Sequence, residues 1–306
     1  MSRSVKSGIM ATHTSPKVEK NAIAVGFMIG ACALFAATTI LGKILGLGAA
    51  DHPGLSPFQI SAGRFCFALL ALLVVLAARP SLRPDFGGAK WGWHLARSVC
   101  GWMGVTCLFA AIAGMPVADA TAISFLNPMF TLAVSTVFLG EALGLRKILA
   151  AGLSLCGAFL ILRPGTDAFQ VAGLIALAAA AFMGVEVVII KRLSDSEPAM
   201  RVLLINNCIG AALSGSVAML VWHAPSAGQW LLLMSIGCVM VLGQSLFIQS
   251  MKRAAANFVA PVFYSVLIFV ALYDFLLFGA VPTVFALIGA GMIVSGALIL
   301  VFKDRV

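Results

Sequence analysis

Among the charged residues inside or at the ends of stretches that are otherwise apolar, five could act on a solute or gate: Arg64, Arg97, Glu141, Glu186 and Asp274. A charge is costly in such surroundings, so each must pair with another buried group, snorkel towards water, or touch a bound solute or ion. Arg64 lies about two helical turns from one end of its stretch and Asp274 near the matching end of another, which permits a pair between them. Arg97 and Glu186 lie within about two turns of the opposite end, with Glu141 at a boundary. Structural ion pairs would account for all five. The chemical alternative is a gate whose pairs form in one state and break in the other, with Glu186 also able to carry a proton.

A second set is uncharged. Phe35, Thr38, Trp102, Phe125, Asn127, Pro128 and Phe182 fall near the middle of their stretches, as do Asn206, Gln244, Tyr264 and Ser265 later in the chain. Trp102 stands apart because tryptophan favours a membrane interface, as Trp91, Trp93, Trp222 and Trp230 do here. Helix packing explains any one of these residues, but the set suits a flat, amphipathic ligand whose rings stack while the amides orient its polar end. Pro128 removes a helix hydrogen bond and leaves a carbonyl free, which serves a hinge, a ligand contact or a packing kink.

Other chemistries lack their residues. The 7 cysteines form no CxxC pair and all lie in apolar stretches, so they read as packing residues. His13, His52, His94 and His223 lie outside those stretches or at their ends, and neither HExxH nor GxSxG occurs. There is no GxxxxGK[ST] loop to bind a nucleotide. No enzyme activity, metal or cofactor is therefore expected.

The elements that must hold these side chains are about ten apolar stretches of roughly 20 residues each. They run Ala22–Gly48, Ser56–Ala78, Trp91–Gly114, Val117–Leu139, Leu145–Leu162, Phe169–Ile190, Met200–Trp222, Gln229–Ser250, Ala255–Phe278 and Pro282–Phe302. With 61% hydrophobic and 10% charged residues, a soluble fold is excluded. Lipid forces such stretches to satisfy their backbone internally, and they lack the alternation of a barrel, so an all-α membrane protein of ten transmembrane helices follows. The net charge of +9 does not mark a nucleic-acid binder. With the N-terminus inside, the outer loops hold only Lys43 and Arg163 of the 20 basic residues, and Arg64 and Arg97 lie within helices. The positive-inside rule then places both termini in the cytoplasm. Residues 1–21, lacking the features of a signal peptide, read as a disordered cytoplasmic tail.

The chain also aligns with itself. Gly104 falls on Gly243, Phe125 on Tyr264, Gly140 on Gly279, Gly152 on Gly291 and Gly157 on Gly296, while a slightly larger offset sets Gly26 on Gly173 and Phe35 on Phe182. Two five-helix units follow, 22–163 and 168–303. Because five is odd, the second must cross the membrane in the opposite sense, the inverted-repeat plan that allows alternating access.

The run SFLNPMFTLAVSTVFLGEALGLRK (124–147), the following GLSLCGAFLILRPG (152–165) and Arg64-Phe65 resemble the repeat of the drug/metabolite transporter superfamily in its ten-helix EamA-type branch. The resemblance covers the whole membrane region. It implies a multi-pass protein of the cell inner membrane that moves a small amphipathic metabolite, with aromatic and other apolar amino-acid exporters as its nearest relatives. An importer, a drug permease or a channel is the alternative, although no selectivity filter or ring of charges is present. The expected partners are the solute and the bilayer, with the chain acting as a monomer. The second unit has Ala280 in place of Glu141 and Leu267 in place of Pro128, so gate features of the first unit do not transfer to it.

Overall fold

The computed structural model describes residues 16–48, 52–139, 145–162, 171–194, 196–253 and 262–301, and these are almost wholly helical. The helices are α1 (Pro16–Leu47), α2 (Pro57–Ala78), α3 (Trp91–Gly114), α4 (Val117–Ser124), α5 (Asn127–Leu139), α6 (Leu145–Leu162), α7 (Val171–Ser194), α8 (Ala199–Leu220), α9 (Ala227–Arg253), α10 (Ser265–Phe278) and α11 (Val284–Val301). Each apolar stretch contains a described helix, and the fourth is divided between α4 and α5.

Among the described residues seven spans are long and apolar enough to cross a membrane; three further apolar helices, Ile148–Leu162, Ser265–Phe278 and Val284–Ile299, are shorter. The protein is an all-helical, multi-pass membrane protein. Its surface carries exposed Leu73 and Val74 on α2, Leu231 on α9, and Phe285 and Leu287 on α11, while Gln59, Ser61, His94 and Asp274 are buried. Apolar outside and polar inside is the distribution expected where lipid replaces water.

Local sequence sets the helix starts. Pro16 opens α1 ahead of Ala22, so the end of the expected tail is helical; a first-turn proline gives up only an amide that has no helical partner. Ser56 and Gln59 begin α2, and Ser226 and Gln229 begin α9, with each serine Oγ accepting from the glutamine amide at 3.3 Å. The glutamine side chains then reach across the molecule. Gln59 donates to the His223 carbonyl at 2.7 Å, and Gln229 donates to the Pro53 carbonyl at 3.0 Å. At the far end of α10, Gly279 adopts the left-handed conformation (φ 64°) that closes the helix.

The packing pairs helices from the two halves of the chain. α1 lies on α9 and α3 on α7, α2 faces α8, α6 faces α11, and α2 touches α9 as α3 touches α8. Glycines permit the closest approaches. A Cβ on Gly157 would lie 2.5 Å from the Gly289 carbonyl oxygen, and one on Gly296 would lie 2.6 Å from that of Ala150. Between these contacts Ser154 donates to the Ile293 carbonyl, 139 positions away, at 3.3 Å. Where the helices lack side chains between them, dispersion contacts and carbonyl approach replace the hydrophobic effect as the cohesive force.

Candidate functional site

The centre of the molecule is built around two interruptions. After Ser124 the backbone turns at Phe125 and Leu126, whose amides bond to Ala122 and Ile123 in the tighter i−3 pattern, and α5 restarts at Asn127. Pro128 is thus in the first turn of α5 rather than in mid-helix, where its missing N–H breaks no ladder. In the second half a turn at Tyr264 precedes α10, although Leu267 stands where Pro128 would be, so proline at that position is not required.

Phe125 and Tyr264 meet there, with ring centroids 5.2 Å apart. Phe263 packs on Phe125 at 5.8 Å, on Phe247 at 5.8 Å and on Phe35 at 6.1 Å. The sequence singles out Phe35, Phe125 and Tyr264 but not Phe247 or Phe263; the adjacency of Phe263 to Tyr264 is the signal that points to it. Thr38 and Thr39 both donate to the Phe35 carbonyl, at 2.7 and 3.2 Å, so the Thr38 hydroxyl is already spent. The Asn127 carbonyl accepts from Thr131 at 2.9 Å and lies against Gly184 of α7. Ser265 follows the Tyr264 turn as the first residue of α10. Gln244 on α9 is half-buried and follows Gly243, which abuts Phe35; Phe182, also half-buried, precedes Met183, which abuts Gly104.

A charged group occupies a separate region. Arg97 Nη2 lies 3.7 Å from Glu186 Oε1, and both charges act on Arg64. The Arg64 guanidinium lies over the Phe65 ring, 5.0 Å from its centroid. Trp102 packs on Phe58 at 6.5 Å rather than on the central rings, and its indole N–H is buried without a partner. The Asn206 side-chain oxygen is likewise buried and unpartnered.

Asp274 does not pair with Arg64. It takes Lys43 at 3.1 Å and the Val117 amide at 2.9 Å, because α10 packs against α1 and the start of α4, whereas α2 turns Arg64 towards α3 and α7. Only 1% of the Asp274 side chain is exposed, and Lys43 also lies 4.5 Å from the centre of the Phe278 ring. Glu141 lies outside the described residues.

His94 lies at the helix end where the sequence puts it, in the first turn of α3, but it is fully buried, and its Nε2 is 2.7 Å from Glu197 in the segment between α7 and α8. Glu197 also accepts the Lys90 amide at 2.8 Å and lies 3.7 Å from Arg201. Burial alone raises a carboxyl pKa, but the Lys90 amide, His94 and Arg201 outweigh it and hold Glu197 below the usual carboxylate range. A depressed folded-state pKa contributes stability above the ordinary carboxylate value, and that contribution is lost as pH falls through the folded value. Thermal unfolding of the purified protein should therefore shift down on acidification through the range below about pH 4.3. Glu197→Gln should lower Tm by several degrees at neutral pH and flatten that acid limb. An unchanged acid limb in the variant would assign the pH dependence to other groups.

Among the described residues no three of His, Cys, Asp and Glu cluster as metal ligands would. What the geometry offers is a membrane-buried aromatic centre enclosed by helices from both halves, with buried polar side chains whose hydrogen bonds are unspent in a separate region of the same bundle. That arrangement belongs to a membrane transporter of small molecules, and sequence comparison agrees. The chain belongs to the EamA-like transporter family, which it matches twice, over residues 22–163 and 170–302.

It is 30% identical over 249 residues to a riboflavin transporter of Vibrio cholerae, covering 79% of this chain and 81% of the relative. A pseudopaline exporter of Pseudomonas aeruginosa is 28% identical, over 67% of this chain and 73% of that protein. An S-adenosylmethionine uptake transporter of Rickettsia bellii is 24% identical, over 92% and 94%. A crystal structure at 21% identity aligns over 92% of this chain and 96% of its own with a TM-score of 0.57, a likeness of fold alone. Helical rather than barrel spans place such a protein, in a bacterial cell, in the inner membrane.

Proposed function

We propose that this protein is a secondary transporter of ten transmembrane helices with both termini in the cytoplasm, which moves a small, flat, amphipathic metabolite by alternating access between two inverted five-helix units. The contact between Phe125 and Tyr264, equivalent positions of the two units, carries this reading. It is supported by the matching closures at Gly157 and Gly296, and by the pairing of α1 with α9 and of α3 with α7. Two units of similar shape and opposite sense can exchange conformations, which closes one side as the other opens.

In that cycle the Lys43–Asp274 pair fastens α1 to α10 at the outer side, and His94–Glu197 fastens α3 to the α7–α8 segment at the inner side. A change in the population ratio by a factor of ten requires about 1.4 kcal/mol, within the reach of either contact. No nucleotide drives the cycle; the solute gradient, or a proton carried on Glu186, supplies the energy.

The specific solute we propose is an amino acid leaving the cell. A second reading, a flat heteroaromatic such as riboflavin, is favoured by the Vibrio cholerae relative. Transport into liposomes of defined solutes separates the two. Trp102→Ala and Tyr264→Ala should each reduce transport by a few-fold to roughly tenfold, since one stacking contact contributes about 0.5–1.5 kcal/mol. Expression and thermal stability should stay near wild type. Normal transport in both variants would move the solute path elsewhere.

A further inference from the structure

Resting on that transport reading, we propose that the solute path recognises a monocarboxylate group of its solute through Arg64 and Arg97, with Glu186 as the resident counter-charge. The first observation is charge. Among the described residues, two guanidinium groups and one carboxylate share this region, which leaves it one positive charge in excess. The other buried pairs are complete in themselves: Asp274 is held by Lys43, and Glu197 by His94 and Arg201. An unbalanced cation within a membrane span is costly, and a bound monoanion removes that cost. A dianion would overcompensate it, and a neutral solute would leave it.

The second observation is geometry. The Arg97–Glu186 separation of 3.7 Å is longer than a charge-assisted hydrogen bond, although the Arg97 side chain is only 10% exposed. Arg97 Nε and Nη1 and Arg64 Nη1 are buried with no partner. Guanidinium N–H groups in that condition suit a planar two-oxygen acceptor, which a carboxylate is. Glu186 keeps its place because residue 101 is glycine: a Cβ there would lie 2.7 Å from its Oε1.

The third observation is the stripe above them. Ser98, Trp102 and Thr106 recur every fourth residue along one face of α3, and Ser98 Oγ, Trp102 Nε1 and Thr106 Oγ1 are all buried without partners. Buried polar groups are normally satisfied, so this row of unspent groups leading from the guanidinium groups marks the path of a polar, partly aromatic solute. Asn206 on α8 adds a further buried, unpartnered acceptor oxygen, which suits an uncharged N–H on the same solute. A carboxylate and a neutral donor on one small molecule match an N-acylated amino acid or a similar monoanion.

The test compares 3-phenylpropionate with 3-phenylpropionamide, a pair alike in shape and different in charge, by thermal shift of the purified full-length protein at constant ionic strength. The acid should half-saturate at a concentration at least tenfold below that of the amide. Arg64→Gln and Arg97→Gln should each reduce that preference to threefold or less, and Arg64→Lys should retain part of it, since it keeps the charge and loses the planar fork. Glu186→Gln should tighten binding of the acid several-fold, a change of sign that a merely structural ion pair does not produce. Equal behaviour of acid and amide in the wild type, including no response to either, overturns the proposal, as does full preference in Arg64→Gln. A protein that fails this comparison yet transports solute in liposomes in a Trp102-dependent manner keeps the transport reading and loses the anion site. Failure of both removes both.

Discussion

Asp274→Ala should destabilise the folded protein by about 3–5 kcal/mol, the usual effect of removing one partner from a buried ion pair. The Asp274 side chain is 1% exposed and that of Lys43 is 13% exposed, so the abandoned ammonium cannot recover full hydration where it stands. The same substitution strips the Val117 amide of its acceptor at the start of α4. For a chain of this size the expected fall in Tm is on the order of ten degrees. Lys43→Met should cost less, because Asp274 retains the Val117 amide, and the double variant Lys43→Met/Asp274→Ala should recover part of the loss. Strictly additive losses in the double variant would mean that the two charges do not interact. The same series read by transport would show whether this fastening at the proposed outer side limits the cycle.

Gly157→Val should prevent α6 and α11 from closing, with loss of monodisperse folded protein. Its first added carbon would meet the Gly289 carbonyl oxygen at 2.5 Å and Met292 Cβ at 2.9 Å, and the first of these is backbone that cannot rotate away. Overpacking of this kind costs about 1–3 kcal/mol where neighbours can yield, and more where they cannot. The neighbouring Gly152 is the control. A Cβ there meets nothing within 4 Å, so Gly152→Ala should be neutral or should stabilise the helix by up to about 1 kcal/mol. The second half should repeat the pattern: Gly296→Val behaves as Gly157→Val, and Gly291→Ala as Gly152→Ala, since Gly296 lies against the Ala150 carbonyl and Gly291 meets nothing. Size-exclusion profiles and thermal unfolding of the four variants check both halves together. Similar profiles for Gly157→Val and Gly152→Ala would remove the close α6–α11 approach.

The helical membrane class was legible from composition and segment length because lipid leaves a backbone few options. The self-alignment of Phe125 with Tyr264 and of Gly157 with Gly296 was equally legible, since repeated spacing survives without any knowledge of contacts. Individual partners were not. Arg64 and Asp274 lie at compatible depths, yet depth along a helix says nothing of azimuth, and it is azimuth that turns Asp274 to Lys43 and Arg64 towards Arg97 and Glu186. Thr38 looked available for a solute, but its hydroxyl found a carbonyl one turn back on its own helix. His94 is terminal, as its place in the sequence says, but its burial against Glu197 came only from the α7–α8 segment folding over the start of α3.

The chain by itself thus determined the class, the apolar stretches that become helices, and the doubled spacing, because these depend on local hydrophobicity and on period. Tertiary structure alone decided the break at Tyr264, the five-ring centre and the choice of ion pairs. Each of those depends on which faces of separate helices meet, a matter of packing that no single helix specifies.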